Sequence, residues 1–360
     1  MHIPDGYLSP ATCAALYTGA APFWYVAVKR VQKMLHTRMV PLLALFAAFS
    51  FVIMMFNLPL PGGTTGHAIG VGIATVVLGP WAAMLAISIA LVIQALFFGD
   101  GGITAIGANC FNMAVVGSLA AHAVYTVIGA RSSPLSTRRV IGAGLAGYVA
   151  CNLAAFVAAI EFGIQPALYK DSSGAPLYCP YPLHIAIPAM MIGHITVAGL
   201  AELFVSAGLV AFLQKLDPQL LSAGSPSRSR ILAEARQAPN ALRPLWLGLG
   251  VLMILTPLGI LSAGSAWGEW VASDYSDPAV RAQMAAASLQ APPPSAAPQG
   301  LVRLSTLWTA SFARYAPPYV ANPMFGYLLS AMFGVGMIML VSFGIARIAE
   351  RRTSGQAGSK

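Results

Sequence analysis

The sequence predicts an all-α integral membrane protein, with seven helices in an N-terminal module and two transmembrane helices towards the C-terminus. Of its 360 residues, 57% are hydrophobic and only 9% are charged. Apolar runs long enough to cross a bilayer, which takes about 20 residues, recur along the chain. Soluble domains do not combine so few charges with so many long apolar runs.

Nine apolar segments are predicted to span the membrane, and the third of them is short and rich in glycine. The polar stretch 216–243 is predicted to be a cytoplasmic linker. It divides the chain into a module over 1–215 and a two-span segment over 244–360, whose outer loop covers about 264–322. In chain order the spans cover about residues 8–28, 40–58, 66–79, 81–98, 103–128, 140–163, 183–213, 244–263 and 323–346.

Basic residues predict the orientation of these spans. Sixteen of the 20 Lys and Arg residues follow the first, fifth, seventh or ninth span. Short loops rich in Lys and Arg stay in the cytoplasm. We therefore expect a multi-pass protein of the cell (inner) membrane, with its N-terminus outside the cytoplasm and its C-terminus inside.

Composition and motifs also argue against several functions. The net charge of +9 comes from basic residues spread between apolar spans rather than over one surface, so no nucleic-acid partner is expected. No segment reads GxxxxGK[ST] or HExxH, which argues against a nucleotide site and against a zinc protease of that type. The four cysteines form no CxxC pair, so no disulfide framework is predicted.

The first two residues, Met1 and His2, offer a compact set of metal ligands. A terminal amine followed by histidine presents the Met1 amine, the His2 main-chain amide and a His2 ring nitrogen. Bound to one ion, these atoms form two fused chelate rings, and a fourth nitrogen would complete a square-planar site of the kind that suits Ni(II) or Cu(II). The alternative is a frayed terminal residue, since chain ends are usually disordered unless something ties them down.

A glycine-rich loop supplies a candidate for the fourth nitrogen, His67. The chain reads NLPLPGGTTGH before and at this residue, and its prolines and glycines cannot continue the second span. Irregular main chain at membrane depth is buried in protein or lines a cavity. A tail of five residues reaches at most about 15–18 Å. The N-terminal tail is therefore long enough to place Met1 beside His67.

Three stretches resemble the hallmark sequences of the CbiM/NikM family. They are MHIPDGYLSP, PLPGGTTGHAIG and GDGGITAIGANCFNMAVVG. This family comprises the substrate-specific membrane subunits of energy-coupling factor transporters for cobalt and nickel, and the resemblance covers about residues 1–215. It implies a seven-span substrate-binding module in which Met1, His2 and His67 hold Co(II) or Ni(II) captured from outside the cytoplasm.

The resemblance also implies partners. A transmembrane coupling subunit and a pair of ABC ATPases would drive uptake, and the chain itself would be a transport subunit rather than an enzyme. The stretch TPLGILSAGSAWGEW, residues 256–270, is similar to the small two-span CbiN/NikN-type partner of these transporters. This similarity implies that 244–360 is such a subunit fused behind the first module.

Other residues resemble positions that serve the metal site or the partners in this family. Asp100 and Asn109 are expected to stand behind the ligands and fix the histidine tautomers. Ala44 and Ala48 form a small-xxx-small pair on the second span, a pattern that allows close helix contact. In the family such a face docks on the coupling subunit.

Ionisable residues inside the predicted spans are candidates for an ion path. Glu202 lies deep in the seventh span and needs a partner there. A hydrogen bond between helices is its simpler role, and a proton or ion relay is the alternative. His122, His184 and His194 are predicted to be core histidines with main-chain partners. A secondary transporter of divalent metal ions is the alternative function, and it would show paired carboxylates or an inverted repeat, which the sequence lacks.

Overall fold

The computed structural model describes residues 1–32, 39–221, 242–262 and 264–357. These residues form the all-α membrane fold that the sequence predicts, with one small hairpin. The helices are α1 (Pro10–Gln32), α2 (Met39–Met54), α3 (Val71–Leu78), α4 (Pro80–Phe98), α5 (Ile106–Ile128), α6 (Thr137–Leu168), α7 (Leu183–Leu216), α8 (Arg243–Leu261), α9 (Pro278–Ala287), α10 (Gln299–Leu304) and α11 (Pro323–Ala357).

Six helices of the described residues are long and apolar enough to cross a membrane. They are α4 to α8 and the stretch Pro323–Ile345 of α11. Helix α2 is apolar but has only 16 residues. Helix α1 has 23 residues, including the basic pair Lys29 and Arg30 in its last turn, and is less apolar than these six.

The prediction of a helical span over 66–79 is wrong in its first half. Residues 66–70 are a strand end and a loop, and α3 has eight residues, which measure about 12 Å along the helix axis. Every residue of α3 is buried. This short apolar helix is enclosed because its neighbours α5, α6 and α7 pack around it.

A β-hairpin replaces the outer end of the second predicted span. Strand β1 (Leu58–Leu60) pairs antiparallel with β2 (Thr64–Gly66), and Pro59 lies opposite Thr65. The turn between the strands contains Gly62 and Gly63, whose φ angles are +83° and +76°. Side chains rarely adopt this left-handed region, so the two glycines allow the tight turn. The hairpin leads directly into the loop that carries His67.

Residues 264–322 connect α8 to α11, and we call them the α8–α11 segment. This segment packs on the hairpin and the N-terminal module. The Thr65 N–H donates to the Ser265 carbonyl at 3.3 Å, and the Gln283 amide donates to the Gly63 carbonyl at 2.6 Å. The Gly300 N–H donates to the Leu177 carbonyl at 2.7 Å. The predicted linker 216–243 lies largely outside the described residues.

Ala44 and Ala48 are fully buried inside the chain. Helix α2, which carries both, packs against α4, α8 and α11. The small-residue face is therefore used for contacts within this chain, and it is not available on the surface described here. Its contact with a coupling subunit stays a prediction.

Candidate metal centre

The first three residues are tied to the core by main-chain contacts. The Asn109 side chain brackets Ile3: its oxygen accepts from the Ile3 N–H at 2.8 Å and its amide donates to the Ile3 carbonyl at 3.1 Å. The Gly102 N–H donates to the same carbonyl at 2.8 Å. Met1, His2 and Ile3 are exposed by only 3%, 1% and 0%. The tail is anchored, so it is not a frayed chain end.

Asp5 and Tyr7 hold the following turn. The Asp5 carboxylate accepts from the Ile103 N–H at 3.1 Å and from the Thr104 N–H at 2.8 Å, and it also accepts from the Thr104 hydroxyl. The buried Tyr7 hydroxyl donates to the Trp270 carbonyl at 2.9 Å. The Asp5 contacts join the tail to the stretch before α5, and the Tyr7 contact joins it to the α8–α11 segment.

The rings of His2 and His67 lie side by side. Their centroids are 5.1 Å apart and their planes are inclined by 55°. Nδ1 of His67 lies 3.1 Å from the Ala68 carbonyl oxygen. Because a carbonyl oxygen only accepts, this contact assigns the proton to Nδ1 and leaves Nε2 of His67 with a free lone pair.

Both ring nitrogens of His2 are buried without a hydrogen-bond partner among the described residues. The nearest carboxylate oxygen, Asp100 Oδ1, lies 3.5 Å from Nδ1, which is too long for a good hydrogen bond. A buried polar atom that lacks a partner is costly in a folded protein. An unpaired ring nitrogen beside a second imidazole is the arrangement that a bound metal ion would satisfy.

Burial keeps both imidazoles neutral. Loss of solvent lowers the pKa of His2 to about 3, with a further decrease caused by the positive terminal amine. The pKa of His67 is also lowered to about 3, by burial first and then by His2 and the terminal amine. A neutral imidazole is the form that binds metal ions. The two rings are therefore in their ligand form at neutral pH.

Two carboxylates from different parts of the chain lie beside this pair of rings. The Met1 amine is 3.5 Å from Glu269 Oε1, on the α8–α11 segment. Burial raises the pKa of Glu269 to about 7, and the nearby amine opposes this increase. Asp100 accepts from the Tyr315 hydroxyl at 2.6 Å and from the Gln94 amide at 3.2 Å. The amine and the His2 ring thus each have an acidic neighbour.

A cavity of about 300 Å³ opens next to the two rings. The N-terminal module and the α8–α11 segment both contribute to its walls, and both carboxylates reach it. Its polar lining includes His67, Asp100, Glu269, Arg314 and Tyr315. This volume is large enough for a small hydrated ion.

The structure brings the predicted ligands Met1, His2 and His67 to one buried place. Among the described residues, no group of three or more His, Cys, Asp or Glu side chains is placed to hold a metal ion. The candidate set uses two side chains only, and the other two nitrogen donors are the terminal amine and the His2 amide. Asp100 is next to His2, as expected.

The structure bears on the expectations for four single residues. Asn109 is hydrogen-bonded to the main chain of Ile3, next to His2, and its part in fixing the histidine tautomers stays a prediction. His194 is a buried histidine with a main-chain partner, the Met190 carbonyl at 2.8 Å, as predicted. His122 and His184, in contrast, lie exposed on α5 and near the start of α7. The prediction of core histidines is therefore wrong for these two, which lie on helix faces that the other described residues leave uncovered.

Sequence reasoning missed two carboxylates. Glu269 lies within the stretch 256–270 that resembles the small partner subunit, but nothing in the sequence links it to Met1. Glu161, near the end of a predicted span, is buried in α6 and accepts from the Asn112 amide at 2.7 Å. All four cysteines are buried free thiols, in agreement with the absence of a CxxC pattern.

Comparison with known proteins places these features in a family. Residues 2–220 match the CbiM family model, described as the cobalt uptake substrate-specific transmembrane region. The chain is 54% identical to the fused nickel transport protein NikMN of Rhodobacter capsulatus, over 98% of this chain and 99% of the relative. It is 40% identical to the probable fused nickel transport protein LarMN of Lactiplantibacillus plantarum, over 96% and 97%. It is 32% identical to the cobalt transport protein CbiM of Geobacter sulfurreducens, over 71% and 72%.

Two solved structures are also similar. A crystal structure of a transition metal transporter shares 46% identity with a TM-score of 0.57, covering 64% of this chain and 99% of that one. A truncated transition metal transporter shares 47% identity with a TM-score of 0.55, covering 60% of this chain and 99% of that one. On the strength of the family model and the full-length relatives, the chain belongs to the CbiM family, with an additional segment that continues beyond the family's transmembrane region.

Proposed function

We propose that this protein captures Ni(II) or Co(II) on the outer side of the membrane and serves as the substrate-binding subunit of an energy-coupling factor transporter. The observation that carries the proposal is the buried pairing of His2 with His67 beside the Met1 amine. The full-length similarity to fused nickel transport proteins supports it.

The proposed ligands are the Met1 amine, the His2 amide, a His2 ring nitrogen and Nε2 of His67. The first three belong to one chain end and close two fused chelate rings around one ion. The fourth comes from the loop after β2, with its proton held on the other ring nitrogen by Ala68. Four nitrogen donors in one plane suit Ni(II), which is the basis for the preference proposed here.

The cargo follows from this donor set and from the relatives. Those that match over nearly the whole chain are named for nickel, whereas the family model and the CbiM relatives are named for cobalt. We therefore propose nickel as the first cargo and cobalt as the second. In either case the metal is the transported substrate and not a resident cofactor.

The proposed topology places the N-terminus outside and the C-terminus in the cytoplasm, as the distribution of Lys and Arg indicates. The sequence contains no GxxxxGK[ST] segment, so the energy for uptake is assigned to a pair of ABC ATPases acting through a transmembrane coupling subunit. Residues 1–215 form the metal-binding module in this proposal, 216–243 the cytoplasmic linker, and 244–360 the fused small subunit.

In this arrangement the α8–α11 segment covers the metal centre from outside. Glu269 contacts the Met1 amine, and Tyr315 donates to Asp100. Both contacts reach residues at or next to the proposed ligands. The fused segment thereby completes the wall of the site. These two contacts account for its fusion to the same chain.

Metal analysis of the purified chain with its native N-terminus tests the proposal. We expect about one nickel ion per chain after exposure to nickel and removal of unbound metal. His67→Ala should weaken this binding strongly, leaving only the chelate of the Met1 amine, the His2 amide and the His2 ring, whereas His122→Ala, which removes an exposed ring on α5, should leave it unchanged. Nickel bound equally well by the wild type and by His67→Ala would overturn the proposed site.

A further inference from the structure

We propose that Glu202 is a positioning residue for the metal centre, which holds His67 in place through the main chain of the loop that follows it. This inference rests on the proposed metal site. Its subject is the buried carboxylate of α7, a helix that carries none of the proposed ligands.

The carboxylate binds the loop directly. Oε2 of Glu202 accepts from the Ile69 N–H at 2.7 Å and from the Gly70 N–H at 2.8 Å, and Oε1 accepts from the Gly72 N–H at 3.0 Å. The Ser206 hydroxyl, one turn further along α7, lies 3.3 Å from Oε1. These four contacts are all donors, so the side chain acts as an acceptor. A proton relay would need, in addition, an acceptor to which Glu202 could pass a proton.

The loop needs this acceptor because it leads into a helix. The first N–H groups of a helix have no partner within the helix itself. Gly70, at the N-terminal end of α3, has a left-handed conformation and no side chain that could satisfy them. A carboxylate accepting from such N–H groups is stabilised by hydrogen bonding and by the helix dipole. Glu202 supplies from another helix the cap that the loop lacks.

The remaining polar groups of the loop are fixed as well. The Ser50 hydroxyl of α2 donates to the Ile69 carbonyl at 2.6 Å. The Ala68 carbonyl lies 3.1 Å from Nδ1 of His67. The main chain from the Ala68 carbonyl to the Gly72 N–H is therefore tied by Glu202 and Ser50, and at its start by the His67 ring. The ring that projects from this loop inherits its position from these contacts.

Glycines allow α7 to come close enough for these bonds. A Cβ atom at Gly72 would lie 2.6 Å from the Gly147 Cα of α6 and 2.4 Å from the Ser206 hydroxyl. A Cβ atom at Gly147 would lie 3.1 Å from Cγ of Glu202. The backbones of α3, α6 and α7 therefore lie close together around the Glu202 carboxylate, which is fully buried. The close approach leaves Glu202 little freedom to move away from the loop.

A double-mutant cycle with Glu202→Gln and His67→Ala tests the inference. An amide in place of the carboxylate would turn an N–H donor towards the loop's own N–H groups. Changes in groups that orient metal ligands commonly reduce metal affinity by about 10- to 100-fold. We expect a nickel affinity at least about tenfold weaker for Glu202→Gln alone, but less than about twofold further loss when His67 is already alanine.

The matched control is Glu161→Gln, which alters a buried carboxylate of α6 that does not contact the loop, and it should keep wild-type affinity. Hydrogen exchange of the metal-free proteins gives a second reading. Peptides covering 67–72 should exchange faster in Glu202→Gln, and peptides from α6 should not. If Glu202→Gln fails to accumulate, Ser50→Ala removes the other anchor of the loop and should show the same dependence on His67.

The outcomes separate the two proposals. A wild-type chain that binds no nickel would refute the metal site, while the exchange of the loop would still report on Glu202. Wild-type affinity in Glu202→Gln, or a loss that simply adds to that of His67→Ala, would overturn the positioning role. An additive loss would mean that Glu202 supports the fold in general and not His67.

Discussion

The Met1 amine lies 3.5 Å from the Glu269 carboxylate, and this pair connects the first residue of the chain to the segment between its last two long helices. The amine is almost completely buried, and the side chain of Glu269 is 24% exposed at the edge of the cavity. The N-terminus and the α8–α11 segment therefore meet at the proposed metal centre.

Replacing Glu269 by glutamine should weaken nickel binding. When the Met1 amine coordinates the ion, it loses its proton and its positive charge. The Glu269 carboxylate, which faces the charged amine in the metal-free protein, then attracts the bound ion. A carboxylate near a divalent ion at the edge of a protein is worth on the order of 1 kcal/mol, or roughly fivefold in affinity. Isothermal titration with nickel measures this change. Asp171→Asn removes an exposed carboxylate from the loop after α6 and should have no effect, and equal affinities for Glu269→Gln and the wild type would contradict the expectation.

The protons released by nickel binding should not come from the histidines. The pKa values of His2 and His67 are lowered to about 3, so both rings are already neutral at pH 5.5. Binding at this pH should release about three protons, from the amine, the amide and Glu269, whose pKa burial raises to about 7, whereas imidazoles with ordinary pKa values near 6.5 would raise the number to about five. Calorimetry in buffers of different ionisation enthalpy counts these protons. A count near five would show that the rings are protonated before nickel binds.

The same pKa values set the sign of a stability effect. Each ring binds its proton more readily in the unfolded chain, where the pKa is about 6.5, than in the folded protein. The free energy of unfolding of the metal-free protein should therefore fall as the pH drops from about 6.5 towards 3. Above pH 6.5 the two histidines should contribute no pH dependence.

Gly6→Ala should release the α8–α11 segment from the N-terminal turn. Gly6 has a φ angle of +89°, and a Cβ atom there would lie 2.5 Å from Leu301 Cα. Strain and overlap together should cost about 2 kcal/mol or more. Gly174→Ala is a matched control, because Gly174 has a φ angle of +85° with nothing within 4 Å of the added Cβ. Limited proteolysis should cut the segment faster in Gly6→Ala only, and equal rates in the two variants would show that the overlap with Leu301 has no effect.

Local sequence signals predicted the parts of the site that lie near each other along the chain. The cluster of prolines and glycines directly before His67 cannot continue a helix, so the loop could be foreseen. Met1 and His2 are neighbours, and their chelating geometry follows from the covalent chain. The partners of these residues could not be foreseen in the same way. Asn109 reaches Ile3, and Glu202 reaches Ile69 and Gly70, across more than 100 residues each.

The hydrophobic pattern predicted the spanning helices well and the short buried helix α3 badly. A continuous apolar stretch such as 66–79 has the same composition whether it faces lipid or is enclosed by protein. Burial of α3 on every side depends on close contacts such as that between Gly72 and Gly147, which only the packed helices define. Composition likewise could not show that Ala44 and Ala48 face the interior of this chain.

Extending the chain before Met1 tests whether the terminal amine of this residue is a metal ligand. Two additional residues before Met1 would turn its amine into an amide, move His2 out of the chelate and place more chain where Met1 is now buried. Nickel content should be measured for the native protein, for this variant, and for a protein with the same two residues after Lys360. We expect about one nickel ion per chain for the native and C-terminally extended proteins and none for the N-terminally extended protein, with unchanged helicity in all three. Full nickel binding by the N-terminally extended protein would show that the Met1 amine is not a ligand.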